Sequence, residues 1–344
     1  PVHCPTNKEK TTMSTYTAIT LAQRPESGPI GRETFNVVQK VVPSAGPGEI
    51  LVLQTYMSLD PAMIGWMSGD TKSYIPPVEI GAVMRSSGLG EVIESHHPDF
   101  AVGDRVMGMM GWTEYFVSPG QGLNKVPPGI TPEQALSVFA LPGLTATQGL
   151  FNVAKPKSGE TIVISGAAGS VGSIVGQLAK ADGLHVIGVA GSDEKCQWIV
   201  DELGFDGAIN YKTDDIGAKL TELVPEGVDI FFENTGGAIQ QHIFEHMNAH
   251  GRIAVCGMIS DYAAPTPSAG PNWIPIIKKR LIIQGFTMPD HYAKVPDLLA
   301  KLTPYVMQGK IKYRAHVLEG LESSIDGLNM LLTGANKGKL MVKL

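Results

Sequence analysis

The 344-residue sequence is poor in cysteine, with three in all. Cys4, Cys196 and Cys256 are an odd and scattered set, so they cannot form a disulfide framework, and they fit a reducing compartment. Nor do they supply the four close thiolates of a structural zinc lobe or the ligand set of a catalytic zinc. His96 and His97 precede Pro98 in an expected solvated turn, which leaves no metal site. No apolar run reaches the ~18 residues of a membrane helix, and no signal-peptide pattern opens the chain. The expectation is a cytoplasmic protein with no membrane partner. Charge is sparse, the net balance is −6 and no long basic run occurs, which excludes nucleic acid as the main partner. Repeats and low-complexity segments are also missing. The length exceeds one hydrophobic core, so two domains are expected. Residues 1–15 are polar and read as disordered.

Glycine is plentiful, and one group of glycines organises the chain. Thr161–Ser165 is a short β-branched run suited to a buried parallel strand. Gly166, Gly169 and Gly172 follow at once. Val171, Ile174, Val175, Leu178 and Ala179 then fall on one helical face, and His185–Ala190 is a second apolar run. A strand that enters a helix through glycines leaves amides without intrahelical acceptors around Gly169, Ser170, Val171 and Gly172. Those donors and the positive helix end suit a pyrophosphate. Ala167 stands where the first glycine of G-x-G-x-x-G would be. The turn alone also fits close helix–strand packing in another α/β nucleotide binder; the two flanking strands favour a dinucleotide.

Before this unit, short strands at 35–42, 49–55 and 88–94 are separated by glycine and proline, the pattern of a partly closed β-barrel. Asp104 and Arg105 read as a turn and an ion pair. A helix is expected from Thr131, with Thr131 as N-cap and Pro132 in the first turn, and another opens around Thr145. After the unit come helices near 193–203 and 215–223, another reaching about Asn248, and a long one over 294–307. Strands are expected at 208–210, 228–234, 251–257 and 280–286. This alternation predicts a doubly wound parallel sheet. The tail, with strands at 311–317 and 340–344 around a helix at 323–332, is expected to rejoin the first domain.

The cofactor class turns on the end of the second strand. Enzymes that use NAD carry an acid there for the ribose diol. Ala190 and Gly191 supply none, and Asp193 follows the N-cap Ser192 and starts a helix. Lys195 lies in that helix's first turn, where the dipole disfavours a cation unless an anion such as a 2′-phosphate is near; the alternative is a solvated surface lysine. Asn234 ends the buried fourth strand, as a ligand contact or a turn former. Gly257–Tyr262 follows the fifth strand, and the Pro-rich loop at 263–272 is a candidate lid. Without zinc, direct alcohol oxidation lacks its Lewis acid. Reduction of a C=C bond conjugated to a carbonyl fits, because hydrogen bonds can stabilise the enolate.

These residues carry a family likeness. Ser58–Met63, Leu141–Ala146, Gly166–Ser173, Gly191–Lys195, Leu203–Thr213, Glu233–Gly237, Gly251–Tyr262 and Lys337–Leu344 occur in the order and spacing of one family. The chain resembles the zinc-independent medium-chain dehydrogenase/reductases. Among them it is most like the NADPH-dependent alkenal and enone reductases of the prostaglandin-reductase and curcumin-reductase kind. One departure is local: Ala62, Ile64 and Trp66 stand where many relatives carry Tyr and Arg, in a segment expected to face the substrate.

The resemblance implies an α/β fold, with a Rossmann NADP-binding domain at 135–308 and a GroES-like catalytic domain at 1–134 and 309–344. It implies NADPH as cofactor, an enone or enal substrate and a homodimer through the sheet edge at Leu281–Phe286. Lys195 and Tyr211 would face the adenosine end. Further cofactor contacts would come from Thr145, Gly169, Ser170, Val171, Gly172, Asn234, Cys256, Gly257, Met258, Ile259, Ser260, Tyr262, Phe286, Thr287, Met288 and Asn336. Two tyrosines are candidates to hydrogen-bond the substrate carbonyl: Tyr262 first, which the family implicates in catalysis, and Tyr56 across the cleft. Either could instead be a core tyrosine. A quinone reductase and a non-catalytic NADPH binder are the alternatives.

Overall fold

A computed structural model describes residues 14–344; the disorder expected for residues 1–13 lies outside them, and Thr15 already starts the first strand. The first part of the chain contributes β1 (Thr15–Leu21), β2 (Phe35–Val41), β3 (Ile50–Ser58), β4 (Ser87–Ser95), β5 (Arg105–Met109), β6 (Tyr115–Ser118) and β7 (Asn124–Lys125). Then come β8 (Thr161–Ser165), β9 (His185–Ala190), β10 (Gly207–Asn210), β11 (Val228–Glu233), β12 (Met247–Val255) and β13 (Ile282–Gly285). The tail adds β14 (Ala315–Glu319) and β15 (Lys339–Lys343).

Six strands form a parallel sheet in the order β10-β9-β8-β11-β12-β13. That is the doubly wound order, with the reversal between β8 and β11. Its strands are apolar throughout because both faces are covered: Ile162 and Ile164 pack into one core and Val163 into the other. The helix Ser170–Ala181 returns over β8, and its glycines permit the approach. A Cβ on Gly172 would lie 2.5 Å from the Gly166 carbonyl oxygen, and Gly166 itself has φ +59°. Thr131 and Ser192 cap their helices as expected, and Asp215 caps another.

The second sheet runs β14-β15-β3-β4-β5-β7, with β6 also on β3. Register shifts between β3 and β4 curl it around Ile50, Val52, Val92, Val106, Met110 and Leu123. The antiparallel β1–β2 pair forms a sheet of its own, and β1 is bridged to the rest of this part at Val83 and Thr113. The tail does rejoin the first part, since β15 pairs with β3. Some bounds differ from expectation. The helix after Thr131 breaks at Ala140, which is extended, and restarts with Pro142 in its first turn, where a missing N–H costs nothing. Arg280 caps the helix Ile274–Lys279 in a left-handed conformation, so β13 starts two residues late. β12 begins at Met247, in place of the last expected helical residues. Ala62–Trp66 forms a short helix with no sequence signal. Asp104 pairs with Lys125 at 2.7 Å, while Arg105 donates to the Ile130 carbonyl.

Candidate active site

The carboxyl ends of β8, β9, β11, β12 and β13 meet the second sheet's loops around a cleft of about 430 Å³. At the turn after β8, Gly169 gives the helix no side-chain cap. The amides of Ser170, Val171 and Gly172 therefore have no intrahelical acceptor, and all four residues line the cleft. This cradle fits a pyrophosphate, and Gly172 lets the start of the helix close onto Gly166, whose carbonyl oxygen a Cβ would meet at 2.5 Å.

The end of β9 fits a 2′-phosphate and not a bare ribose diol. Ala190 and Gly191 line the cleft. A Cβ on Gly191 would stand 3.0 Å from the Tyr211 hydroxyl, so glycine lets that ring lie against the strand end. Asp193 is already engaged, accepting from Asn210 Nδ2 at 2.7 Å. Lys195 is half-buried, and its Nζ donates to the Gly334 carbonyl at 2.6 Å. Burial first, then the charge of Lys212, lowers its pKa; Lys337 adds to this and Glu194 opposes it. Cations so grouped call for an anion. Asn336 also lines this end, with Nδ2 donating to the Gly338 carbonyl.

At the end of β11, Glu233 is fully buried and escaped notice in the sequence. Its Oε1 accepts from the Ser165 hydroxyl and from the Thr235 and Gly236 amides. The Ser165 hydroxyl accepts from the Asn234 amide, and Asn234 Nδ2 donates to the Ser165 carbonyl at 2.7 Å. The turn carrying Asn234 is thus clamped to the end of β8. The loop after β12 docks on it: Ile259 N donates to Asn234 O, and the Ser260 hydroxyl donates to Thr235 O. Cys256, Gly257, Ile259 and Tyr262 reach the cleft; Met258 and Ser260 serve this docking and do not line it. Burial, then Glu233, pushes the Cys256 thiol up to about 12.

Tyr262 is 41% exposed as a residue, and its hydroxyl is turned toward the backbone just beyond β12. It sits against Gly257, where a Cβ would be 3.1 Å away. The hydroxyl accepts from Met258 N at 3.2 Å, which leaves its proton free to donate. Burial raises its pKa; the Met258 bond opposes this, and Cys256 and Tyr74 add to it. Phe286, Thr287 and Met288 line the cleft beyond β13, with Phe286 edge-on to Phe232, and Thr145 lies across from them.

Tyr56 requires a correction. Side chains alternate along β3, and Met57 and Leu59 take the face that packs beside the cleft. Tyr56 therefore points the other way, among Met107, Ile130, Leu136 and Val317, with its hydroxyl on Glu133. Ile64 is likewise core, while Ala62 and Trp66 do line the cleft. None of residues 263–272 lines it, and their first member is tied to Gly28. The substrate end instead holds Tyr74 and Tyr292, which carry no sequence signal; Trp66 Nε1 donates to the Tyr74 hydroxyl at 3.3 Å. Asp60 is the single carboxylate among the lining residues, and buried Lys339 neutralises it at 2.6 Å. Among the described residues no group of three His, Cys, Asp or Glu could hold a metal ion.

Comparison with known proteins gives the same picture. Residues 17–126 match a family described as the N-terminal domain of oxidoreductase, and 170–303 one described as zinc-binding dehydrogenase. The chain is 39% identical to NADPH-dependent curcumin reductase of Escherichia coli, covering 94% of this chain and 95% of that protein. It is 39% identical to 2-alkenal reductase (NADP(+)-dependent) of Nicotiana tabacum, over 90% and 91%. The crystal structure of CurA from Vibrio vulnificus with NADPH superposes with a TM-score of 0.89 at 40% identity, over 95% and 98%.

Proposed function

Since the chain belongs to the zinc-independent type of the medium-chain dehydrogenase/reductases, we propose that it uses NADPH to reduce the C=C bond of α,β-unsaturated ketones and aldehydes. The observation that carries this reading is the cleft itself. It has a phosphate-binding turn and a lysine at one end, and at the other a wall without free charge, where the Tyr262 hydroxyl accepts from the Met258 amide and keeps its proton to donate, with the hydroxyls of Tyr74 and Tyr292 on the same lining. NADPH supplies the hydride for the substrate's β-carbon. The amides of Ser170–Gly172 hold the pyrophosphate, and Lys195 and Tyr211 face the 2′-phosphate. Tyr262 donates to the substrate carbonyl oxygen, where the enolate charge collects. Its raised pKa keeps the hydroxyl protonated at neutral pH, and the amide bond it accepts strengthens it as a donor. Water protonates the α-carbon.

The functional division is 1–134 with 309–344 for substrate and 135–308 for cofactor. The test is a panel of enones, enals and quinones with NADPH, followed by absorbance. Enone turnover is expected to exceed quinone turnover; cofactor binding without oxidation of NADPH would leave only a binding protein. Dialysis against a strong chelator is expected to leave turnover unchanged, and activity that tracks bound zinc would contradict the assignment.

The reading includes a cytoplasmic homodimer. β13 is an edge strand; its own Ile282 is 58% exposed, and Ile277, in the helix just before it, is 81% exposed. A bare apolar edge invites pairing, and a second copy would cover it. Light scattering at micromolar concentration is expected to give twice the chain mass, and Ile277→Glu with Ile282→Glu to give the monomer. A monomeric wild type refutes the dimer.

A further inference from the structure

Lys195 makes a contact that phosphate recognition does not require. Its Nζ donates to the carbonyl of Gly334, 139 residues along the chain. Gly334 is the left-handed C-cap, φ +67°, of the helix Ser323–Thr333. That carbonyl is at the negative end of an eleven-residue helix, where a cation is favoured. The same helix terminus forms part of the cleft wall: Leu331 and Leu332 line it, and Leu331 packs in one core with Trp66 and Met63. Around this bond the helix Asp193–Asp201 is joined to the tail again, by Lys337 to Glu194 at 2.8 Å and by Arg314 to Glu202 at 3.2 Å. Those pairs reach the tail at Lys337 and Arg314, outside the helix, whereas the Lys195 ammonium lands on the carbonyl of the helix's own C-cap. Of the three, the Lys195–Gly334 bond is therefore the contact that fixes the helix end.

We propose that Lys195 is a positioning residue for the substrate wall, acting through Gly334, in addition to facing the 2′-phosphate. An ammonium has three donors. One on Gly334 leaves two for the phosphate, so a single side chain ties the cofactor's adenosine end to the helix that bears Leu331 and Leu332. Substrate affinity then depends on Lys195 even when the cofactor carries no phosphate. This rests on the enone-reductase reading only for its kinetic arm.

The test compares the wild type, Lys195→Ala and Lys195→Arg. In cofactor-free protein, amide hydrogen exchange over residues 330–338 is expected to speed roughly tenfold in Lys195→Ala and to return toward wild type in Lys195→Arg. With saturating NADH, the enone KM of Lys195→Ala is expected to rise severalfold while kcat stays within about twofold; Lys195→Arg restores KM. Unchanged exchange at 330–338 overturns the proposal, and so does faster exchange with an unchanged enone KM. If the wild type reduces no enone, the enone-reductase reading fails and the exchange arm alone decides the anchor.

Discussion

Tyr262→Phe is expected to lower enone turnover by about 10²–10³-fold, with NADPH affinity within a few fold of wild type. Removal of a donor aimed at a developing oxyanion costs roughly 2.7–4 kcal/mol. The Tyr262 hydroxyl accepts from the Met258 amide, so the lost atom is both the donor to substrate and an acceptor for the loop. The loop keeps its other ties, from Ile259 to Asn234 and from Ser260 to Thr235, so the cofactor walls stay in register. Residual activity comes from the bound geometry, because water still delivers the second proton. Tyr56→Phe serves as the contrast. Its hydroxyl faces Glu133 outside the cleft, so enone turnover is expected within about twofold of wild type. Steady-state kinetics on the two variants decide it. Wild-type turnover in Tyr262→Phe together with a large loss in Tyr56→Phe would reverse the assignment.

Lys195→Ala is expected to weaken NADPH by about one to two decades and to leave NADH affinity nearly unchanged. A hydrogen bond to a charged group contributes roughly 1.5–3 kcal/mol, and each ~1.4 kcal/mol is tenfold in affinity. No acid at Ala190, Gly191 or an engaged Asp193 offers NADH a compensating contact. Titration calorimetry with both cofactors reads this directly; equal losses for NADH and NADPH would sink the idea. The preference also depends on pH. Burial, then Lys212, lowers the Lys195 pKa from its ordinary value. The charged ammonium is present below that pKa and is lost as pH rises through it. The NADPH advantage should therefore fade at a lower alkaline pH than an ordinary lysine would give. Wild-type NADPH/NADH affinity ratios across alkaline pH check the direction.

Local signals wrote much of this fold into the chain. The limits of β8 and the caps at Thr131 and Ser192 come from β-branched runs and side chains that reach amides three residues away. The cradle was legible because Gly166, Gly169 and Gly172 are needed for backbone reasons that no distant contact can change. The bounds of β13 were not, because Arg280 adopts a left-handed cap at a position with no glycine.

The candidate site divides in the same way. Lys195, Tyr211 and Asn234 sit at strand ends or just beyond them, and strand ends in a doubly wound sheet converge on the ligand. Tyr74 comes from an irregular segment and Tyr292 from the short 3-10 helix Met288–Lys294, so no periodicity marks them, and only the closing of one sheet's loops on the other brings them to the cleft. Glu233 reads in the sequence only as part of the strand at 228–234; its role needs Ser165, 68 residues earlier, at the adjacent strand end.

By itself, then, the sequence determined the parallel sheet, the dinucleotide turn and the missing ribose acid. Each of these is fixed by backbone geometry over a few residues. Only the tertiary structure places Tyr262 on the cleft and Tyr56 away from it, since a one-residue change of phase along β3 turns a side chain to the opposite face. It also decided that Lys195 meets Gly334, because a contact across 139 residues depends on how two separately encoded units pack together.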